Sequence, residues 1–179
     1  MHDKAQEIPL LQGRSGKIAP NILKRDFNTT APNQKWTTDI TEFALFGTKL
    51  YLSPILDMYN GEIISYEISD RPVLGQVLRM LDNAFAKIPD NTNLIFHSDQ
   101  GWQYQHKTYR KRLKDKGIRQ SMSRKGNCLD NAIMENFFGL LKSELLYLQK
   151  FDSMEEFRLE LEKYIDYYNN KRIKAKLKG

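Results

Sequence analysis

The sequence has 179 residues, of which 40% are hydrophobic and 28% are charged, as expected for one globular domain with a core of its own. No stretch approaches the roughly 18 apolar residues of a membrane span, and a single cysteine, Cys128, excludes an internal disulfide and favours the reducing cytoplasm. Lysine and arginine outnumber aspartate and glutamate by 28 to 22, and this basic surplus favours a polyanionic partner such as nucleic acid.

Residues 1–34 form the first distinct segment of the sequence. It is polar and is interrupted by Pro20 and Pro32, which predicts an extended arm, a linker or the tail of an upstream domain. From residue 35 the pattern becomes regular. Residues 35–45 alternate in polarity and predict a first strand that contains Asp39.

Two more strands are expected directly afterwards. Residues 49–56 form an apolar run after a turn at Gly47, and residues 62–68 follow an Asn-Gly pair at 60–61, which favours a tight hairpin. Residues 35–69 therefore predict a three-stranded antiparallel meander.

Helical periodicity begins at residue 73 and ends before Pro89. A short strand at 94–96 leads into Asp99, a basic helix at 104–116 ends at Gly117, and an edge strand follows at 118–122. The last two helices are predicted over 128–148, capped by Asn127, and over 153–169.

The order of these elements defines the fold class. Three antiparallel strands followed by helix–strand units predict a mixed α/β domain with a five-stranded mixed sheet flanked by helices. Ribonuclease-H-like domains have this order.

Three carboxylates stand at informative positions. Asp39 lies in a strand, where aspartate is rare, although taken alone it fits a solvated edge. Asp99 ends a strand, where α/β sheets bind ligands, but it also fits a turn. The helix that carries Glu135 has a predicted apolar stripe of Ile133, Phe137, Leu140, Leu141, Leu145 and Leu148. Glu135 lies about 200° around this helix from Ile133 and points away from the stripe, as an ordinary solvated glutamate also would.

The case for a catalytic site rests on the three carboxylates taken together. A mixed sheet could place Asp39 and Asp99 on adjacent strands, and a packed helix could bring Glu135 opposite them. Three carboxylates within ~4 Å would repel by several kcal/mol, a penalty that divalent cations remove. Oxygen ligands suit Mg²⁺ or Mn²⁺, and two such ions ~3.5–4 Å apart can promote displacement at phosphorus.

The sequence around each carboxylate carries a family resemblance. The first-aspartate motif of bacterial insertion-sequence transposases, the group made from a second, overlapping reading frame, resembles residues 36–41 (WTTDIT). Its second and third motifs are similar to residues 97–101 (HSDQG) and to residues 123–132 (SRKGNCLDNA) followed by 135–138 (ENFF). Thirty-five residues lie between Asp99 and Glu135, the interval typical of this family and of retroviral integrases. Lys142 stands seven positions after Glu135, where the family has a basic residue.

This resemblance implies a DDE transposase with a ribonuclease-H-like integrase core. It implies that Asp39, Asp99 and Glu135 are both catalytic residues and metal ligands, with two Mg²⁺ or Mn²⁺ ions when DNA is bound. The activity implied is hydrolysis at the element's ends and transfer of the 3′-hydroxyl to target DNA by a homo-oligomer. Residues 1–34 would then come from an upstream DNA-binding region. Residues 35–179 would form the catalytic core with its C-terminal helix, truncated at the end.

Four further residues are candidates for DNA binding. Lys142 is expected to contact a phosphate near the carboxylates, and Arg124 and Lys125 lie in a polar loop that could close on DNA. Asn131 is expected to contact DNA, to orient this loop or to belong to a helix cap. The alternative for Lys142, Arg124 and Lys125 is that they are solvated surface residues without a ligand. The same alternative applies to the basic helix at 107–116.

Two other polar residues receive a structural interpretation. His97 is expected to be a packed core histidine. Asp57 is a rival strand-end carboxylate that lacks the motif context of Asp39.

Two alternative functions stay open at this point. A ribonuclease-H-like nuclease shares the fold, and strand transfer would distinguish a transposase from it. A non-catalytic DNA-binding regulator derived from such a core would bind no divalent metal.

Overall fold

The structure, a computed structural model, describes residues 16–178, without the side chains of Cys128 and of residues 173–178. The first fifteen residues of the predicted arm lie outside the described residues. The strands are β1 (Lys35–Thr38), β2 (Thr41–Leu45), β3 (Thr48–Asp57), β4 (Ile63–Ser69), β5 (Ile95–Ser98) and β6 (Arg119–Met122). The helices are α1 (Leu74–Phe85), α2 (Trp102–Gln105), α3 (Lys107–Lys116), α4 (Ala132–Leu141) and α5 (Met154–Lys178), with a 3₁₀ turn at Cys128–Asn131 and a π-helical turn at Lys142–Leu146.

The sheet is mixed and is five positions wide. β3 pairs antiparallel with β4 on one side and with β1 and β2 on the other. β1 pairs parallel with β5, and β5 pairs parallel with β6 at the edge. The predicted fold class, a five-stranded mixed sheet that begins with an antiparallel meander, is confirmed.

The sheet counts six strands because the first predicted strand is interrupted. β1 and β2 pair with β3 in one continuous register, with Trp36 opposite Asp57 and Thr41 opposite Leu52. Asp39 and Ile40 lie between the two paired segments. The prediction that Asp39 lies inside a strand is therefore wrong, because Asp39 directly follows the end of β1.

The hairpin from β2 to β3 is closed by two residues, Phe46 and Gly47. Both have positive φ, 55° and 70°, the backbone that a two-residue type I′ turn requires. This turn fixes the pairing of Leu45 with Thr48, and hence the register of the whole hairpin.

Two hydrophobic cores lie on the two faces of the sheet. One contains side chains of α1, α2 and α3 and includes Trp36 and Phe96. The other contains side chains of α4 and α5 and includes Phe43 and Leu52. Helices therefore cover both faces. Among the described residues, no helix is both long and apolar enough to cross a membrane.

The helix predicted over 128–148 is a composite of a 3₁₀ turn, α4 and a π-helical turn. Its predicted apolar stripe is partly wrong, because Leu140 and Leu148 are 42% and 79% exposed, while Met134 and Phe138 are buried. The π-helical turn is one reason: Tyr147 N bonds to Lys142 O at 2.9 Å, which alters the helical phase before Leu148.

The other helices differ from their predictions mainly at their ends. The helix predicted over 104–116 is divided at His106, whose side chain caps α3 by accepting from Thr108 N. Gly117 ends α3 in the left-handed region, with φ 77°, as predicted. α5 continues past residue 169 to Lys178.

The part of the arm that the structure describes packs against the domain. Leu23 is only 2% exposed. Pro20 O accepts from Met122 N at 3.3 Å, and Ser121 Oγ accepts from the N–H groups of Ile22 and Leu23 at 3.1 Å each. The arm thus lies along the β6 edge of the sheet.

Candidate active site

Asp39 and Asp99 occupy matching positions directly after the ends of the neighbouring parallel strands β1 and β5. Lys35 pairs with Ile95 and Thr37 with His97, and the same offset continued past the strand ends sets Asp39 beside Asp99. Adjacent strands lie about 4.8 Å apart, so the two aspartates lie next to each other at the carboxyl-terminal ends of β1 and β5.

Backbone N–H groups fix one oxygen of each aspartate. Ile40 N donates to Asp39 Oδ1 at 2.8 Å, and Gly101 N donates to Asp99 Oδ1 at 2.7 Å. Burial raises the pKa of both carboxyls. For Asp39 the pKa reaches about 7, because the charges of Asp99 and Glu135 add to the effect of burial.

Glu135 lies in the first turn of α4 and is exposed. Its charge is close enough to contribute to the raised pKa of Asp39. The neighbouring Met134, Phe137 and Phe138 are buried in the second core, and this packing holds α4 on the sheet with Glu135 on its outer side.

A cavity of about 450 Å³ brings most of the predicted site residues together. Its lining includes Asp39, Asp99, Glu135, Arg124, Lys125 and Asn131. The cavity therefore combines three acidic side chains with two basic ones from the loop before α4. A ligand that carries phosphate groups together with a metal ion would contact both the acidic and the basic side chains.

The amide of Asn131 is held within the protein. Asn131 is 7% exposed, its Oδ1 accepts from Thr37 Oγ1 at 2.6 Å, and its Nδ2 lies 3.5 Å from Thr38 O. Asn131 thus links the start of α4 to the end of β1, next to Asp39. Asn131 also stands at the N-cap position of α4, although its side chain makes no capping hydrogen bond there.

The loop before α4 is organised by Asp130, which the sequence interpretation did not single out. The side chain of Asp130 is 1% exposed and accepts from Arg124 N at 2.8 Å and from Arg124 Nε at 3.2 Å. Arg25 Nε donates to the same carboxylate at 2.7 Å. The local motif contains Asp130, but only the folded chain shows that two arginines meet there.

Lys142 and α3 lie apart from the cavity lining. The Lys142 ammonium lies 5.8 Å from the centre of the Phe43 ring. On α3, Lys111 pairs with Asp115 and Lys116 with Asp90, so some of the helix's positive charge is neutralised locally.

His97 and Asp57 have structural partners. His97 is fully buried, its Nδ1 lies 2.9 Å from Ser121 Oγ, and burial lowers its pKa to about 4, so the prediction of a packed core histidine is confirmed. Asp57 is buried and accepts from Asn33 N at 2.8 Å and Tyr59 N at 2.9 Å. Asp57 therefore stabilises a chain reversal away from the cavity.

Tyr104 is another residue near the site that sequence reasoning missed. Its side chain is fully buried, and burial raises the pKa of the hydroxyl well above its usual value, with further contributions from Asp39 and Asp99. A neutral phenol thus lies close to both aspartates. The sequence signal is only a tyrosine in a short polar helix, which does not reveal this proximity.

The donor chemistry of the two aspartates fits a divalent cation. Among residues 16–178, no three His, Cys, Asp or Glu side chains are gathered closely enough to enclose an ion. Asp39 and Asp99 nevertheless supply hard oxygen donors side by side, and a cation would offset both the burial and the repulsion that raise the pKa of Asp39. Glu135, exposed at the rim, is available as a third ligand.

Relatives of known family decide the classification. A family model described as integrase core domain matches residues 29–128, and a second with the same description matches residues 135–179. The putative transposase InsK of insertion sequence element IS150 from Escherichia coli is 55% identical over 176 residues, 98% of this chain. An uncharacterized transposase-like protein of Haemophilus influenzae is 51% identical over 176 residues, and the match covers 98% of this chain and 81% of that protein.

The chain belongs to the integrase core family of bacterial insertion-sequence transposases. The predicted family and the predicted class, an enzyme core of the transposase and integrase type, are confirmed. The chain spans 62% of the length of the InsK protein.

Solved structures share the fold of this integrase core. The simian T-cell lymphotropic virus intasome in complex with PP2A regulatory subunit B56 gamma matches with a TM-score of 0.60 and 21% identity, over 90% of this chain and 55% of that one. The magnesium complex of the HTLV-2 integrase catalytic core domain, in its trimeric form, matches with a TM-score of 0.56 and 16% identity, over 79% of this chain and 86% of that one. The ribonuclease-H-like architecture is therefore confirmed.

Proposed function

We propose that this chain is the catalytic core of a DNA transposase that cuts phosphodiester bonds at the ends of its element and joins the freed 3′-hydroxyl to target DNA. The observation that carries the proposal is the position of Asp39 beside Asp99, with Glu135 lining the same cavity. Family membership supports the reaction class, because the relatives that match this chain include transposases.

Asp39, Asp99 and Glu135 are proposed as both the catalytic and the metal-binding residues. The backbone contacts of Asp39 and Asp99 leave a second oxygen on each carboxylate for Mg²⁺ or Mn²⁺. Two such ions, when bound with DNA, would supply positive charge that activates a nucleophile and stabilises a leaving oxygen. The protein itself positions the groups and neutralises charge, and it needs no covalent intermediate.

Both steps exchange one oxygen for another at phosphorus. In the first, a water oxygen bonds to phosphorus as the bond to the 3′-oxygen breaks, and that oxygen leaves as a 3′-hydroxyl once protonated. In the second, the oxygen of this hydroxyl loses its proton and bonds to a target phosphorus, while the bond from that phosphorus to the target's own 3′-oxygen breaks and that oxygen takes up a proton. The bonds made and broken balance, and no oxidant or external energy source is required.

DNA is the proposed partner in both steps, as element ends and as target. Arg124 and Lys125 line the cavity and offer positive charge to the DNA backbone. Lys142, seven positions after Glu135 and outside the cavity lining, is proposed as a further phosphate contact. A homo-oligomer on DNA and a cytoplasmic location remain our predictions. So does the division of the chain into an N-terminal arm, residues 1–34, and a catalytic core, residues 35–179.

The decisive experiment measures joining and metal binding in parallel. The 179-residue chain is incubated with a duplex bearing a recessed 3′-hydroxyl and with supercoiled plasmid in Mn²⁺, and calorimetry measures Mn²⁺ binding. We expect joined products for the wild type and for Asp70→Asn, a control at an exposed aspartate, but none for Asp39→Asn. Metal-dependent cleavage without joining would favour a nuclease, and the absence of Mn²⁺ binding would favour a non-catalytic regulator.

A further inference from the structure

Asp130 is a buried carboxylate held between two arginines from distant parts of the chain. Its side chain is 1% exposed. Arg124 approaches both oxygens through Nε at 3.2 Å and Nη2 at 3.1 Å, and Arg25 Nε lies 2.7 Å from Oδ1. Hydrogen bonds from Arg124, reinforced by Arg25, hold the pKa of Asp130 well below its usual range. The buried charge therefore persists and needs a cation beside it.

Arg25 is delivered to Asp130 by the backbone of the arm. Lys24 and Arg25 both have positive φ, 50° and 59°, which is uncommon for residues other than glycine. The preceding Leu23 is buried, and its N–H donates to Ser121 Oγ at 3.1 Å. The chain reversal at 24–25 is thus fixed on one side by β6 and directs the guanidinium of Arg25 to Asp130.

The two arginines differ in what else they can reach. Arg124 is 59% exposed and lines the cavity that holds Asp39 and Asp99. Arg25 is 39% exposed and is not among the residues that line this cavity. Arg124 could therefore turn to a phosphate in the cavity, whereas Arg25 could stay on Asp130.

A single arginine could not serve both anions. If the Arg124 guanidinium were the sole cation beside Asp130, its departure would leave a buried charge with no opposite charge beside it, which is strongly unfavourable. With Arg25 in place, one cation remains on Asp130 when Arg124 leaves. Arg25 therefore lowers the free-energy cost of moving the Arg124 guanidinium from Asp130 to a phosphate.

We propose that Arg25 is a positioning residue, which keeps Asp130 neutralised so that Arg124 is free to bind a DNA phosphate at the cavity. This inference rests on the proposed function, since it takes DNA as the ligand. It assigns a role in substrate binding to an arm residue that lies outside the cavity.

A double-mutant cycle in DNA affinity tests this coupling. Fluorescence anisotropy measures binding of a labelled duplex to the wild type, to Arg25→Gln, to Arg124→Gln and to the double variant, at one low salt concentration. Lys24→Gln, at the neighbouring exposed cation, is the matched control. We expect each arginine variant to bind roughly fivefold more weakly, the double variant to bind no more weakly than either, and Lys24→Gln to stay within twofold.

Two further variants separate positioning from a general loss of structure. Arg25→Lys keeps a cation beside Asp130 and is expected to retain affinity within twofold of the wild type. Asp130→Asn removes the need for that cation, so Arg25→Gln should then have no effect on affinity while Arg124→Gln still weakens binding. Thermal unfolding of every variant shows which ones are folded at the assay temperature, and Arg25→Lys gives the answer if Arg25→Gln is not.

The outcomes distinguish this inference from the proposed function. Additive losses from the two arginine variants, or equal losses from Arg25→Lys and Arg25→Gln, would overturn the role of Arg25 and leave DNA binding intact. A wild-type chain that binds no duplex at this low salt concentration would overturn the proposed function and, with it, this inference.

Discussion

Asn131 accepts a 2.6 Å hydrogen bond from Thr37, a residue 94 positions earlier in the chain. Both side chains are buried, so this bond is shielded from water. Thr37 stands two positions before Asp39, and Asn131 stands four positions before Glu135. The bond therefore joins the two elements that carry the first and third carboxylates.

Removal of this bond should affect stability and catalysis together. We expect Asn131→Ala to lower the free energy of unfolding by about 1–3 kcal/mol, because Thr37 loses its buried acceptor. Joining should fall further than the folded fraction does, since α4 is no longer tied to β1. Urea unfolding and the joining assay measure the two effects. Asn136→Ala, at an exposed position of α4, is the control and should change neither quantity.

Asp39 should make the metal-free protein less stable as pH rises. Burial, with Asp99 and Glu135 nearby, raises the pKa of Asp39 to about 7, against 3.8 for an ordinary aspartate. Between these values the folded chain holds a proton that the unfolded chain has released, so the free energy of unfolding falls with rising pH. Asp39→Asn avoids this loss and should be the more stable protein in EDTA, by at most roughly 4 kcal/mol above pH 7.

Urea unfolding at pH 5, 6, 7 and 8 measures this difference. Asp57→Asn is an instructive control, because Asp57 accepts from two backbone N–H groups and an amide keeps only one acceptor oxygen. It should destabilise the protein by about 1–3 kcal/mol, the opposite sign. A gap between wild type and Asp39→Asn that is independent of pH would contradict the raised pKa of Asp39.

The three carboxylates should contribute unequally to metal binding. Asp39 and Asp99 lie side by side, whereas Glu135 is exposed at the rim. We expect Glu135→Gln to bind the first Mn²⁺ ion within about threefold of the wild type, and Asp99→Asn to lose about 10–100-fold. Both variants should fail to join DNA. Mn²⁺-induced increases in melting temperature report the affinities, and equal losses in the two variants would argue against this division.

Lys142 should contribute to DNA affinity through charge alone. A phosphate contact releases a counterion, so Lys142→Ala should reduce the slope of log affinity against log salt concentration by about 0.9. Lys111→Ala is the matched control, because Lys111 is exposed on α3 and already pairs with Asp115 at 2.8 Å. Anisotropy titrations at four salt concentrations give the slope. An unchanged slope would indicate that Lys142 serves only to cover the Phe43 ring.

Local signals in the sequence predicted most of the fold. The turn at Gly47 and the cap at Gly117 depend on backbone preferences of a few residues, and both appear in the structure. The Asn-Gly pair at 60–61 also lies in a turn, with Gly61 at φ 73°, but the connection from β3 to β4 has five residues rather than the two of a tight hairpin. Apolar periodicity located α1 and the strands of the meander to within a few residues. These features need no knowledge of distant contacts.

Features that depend on tertiary contacts were not predictable in the same way. The break at Asp39 has no local signal such as a glycine or proline within residues 35–45, and only the pairing with β3 and β5 reveals it. Asp130 is an unremarkable residue of its motif until Arg25, 105 positions away, lies beside it. The family resemblance identified the candidate carboxylates, but only the folded structure showed which residues surround them.

The pairing of β1 with β5 has a consequence for insertions and deletions. Because hydrogen bonding between these strands sets Asp39 beside Asp99, the number of residues in the connections between them does not determine the geometry of the site. Loops in that interval can lengthen or shorten while the two aspartates stay together. Loss of one residue inside β5 would instead turn each following side chain to the opposite face of the sheet. Length variation should therefore be tolerated in the loops between β1 and β5 and excluded from these two strands.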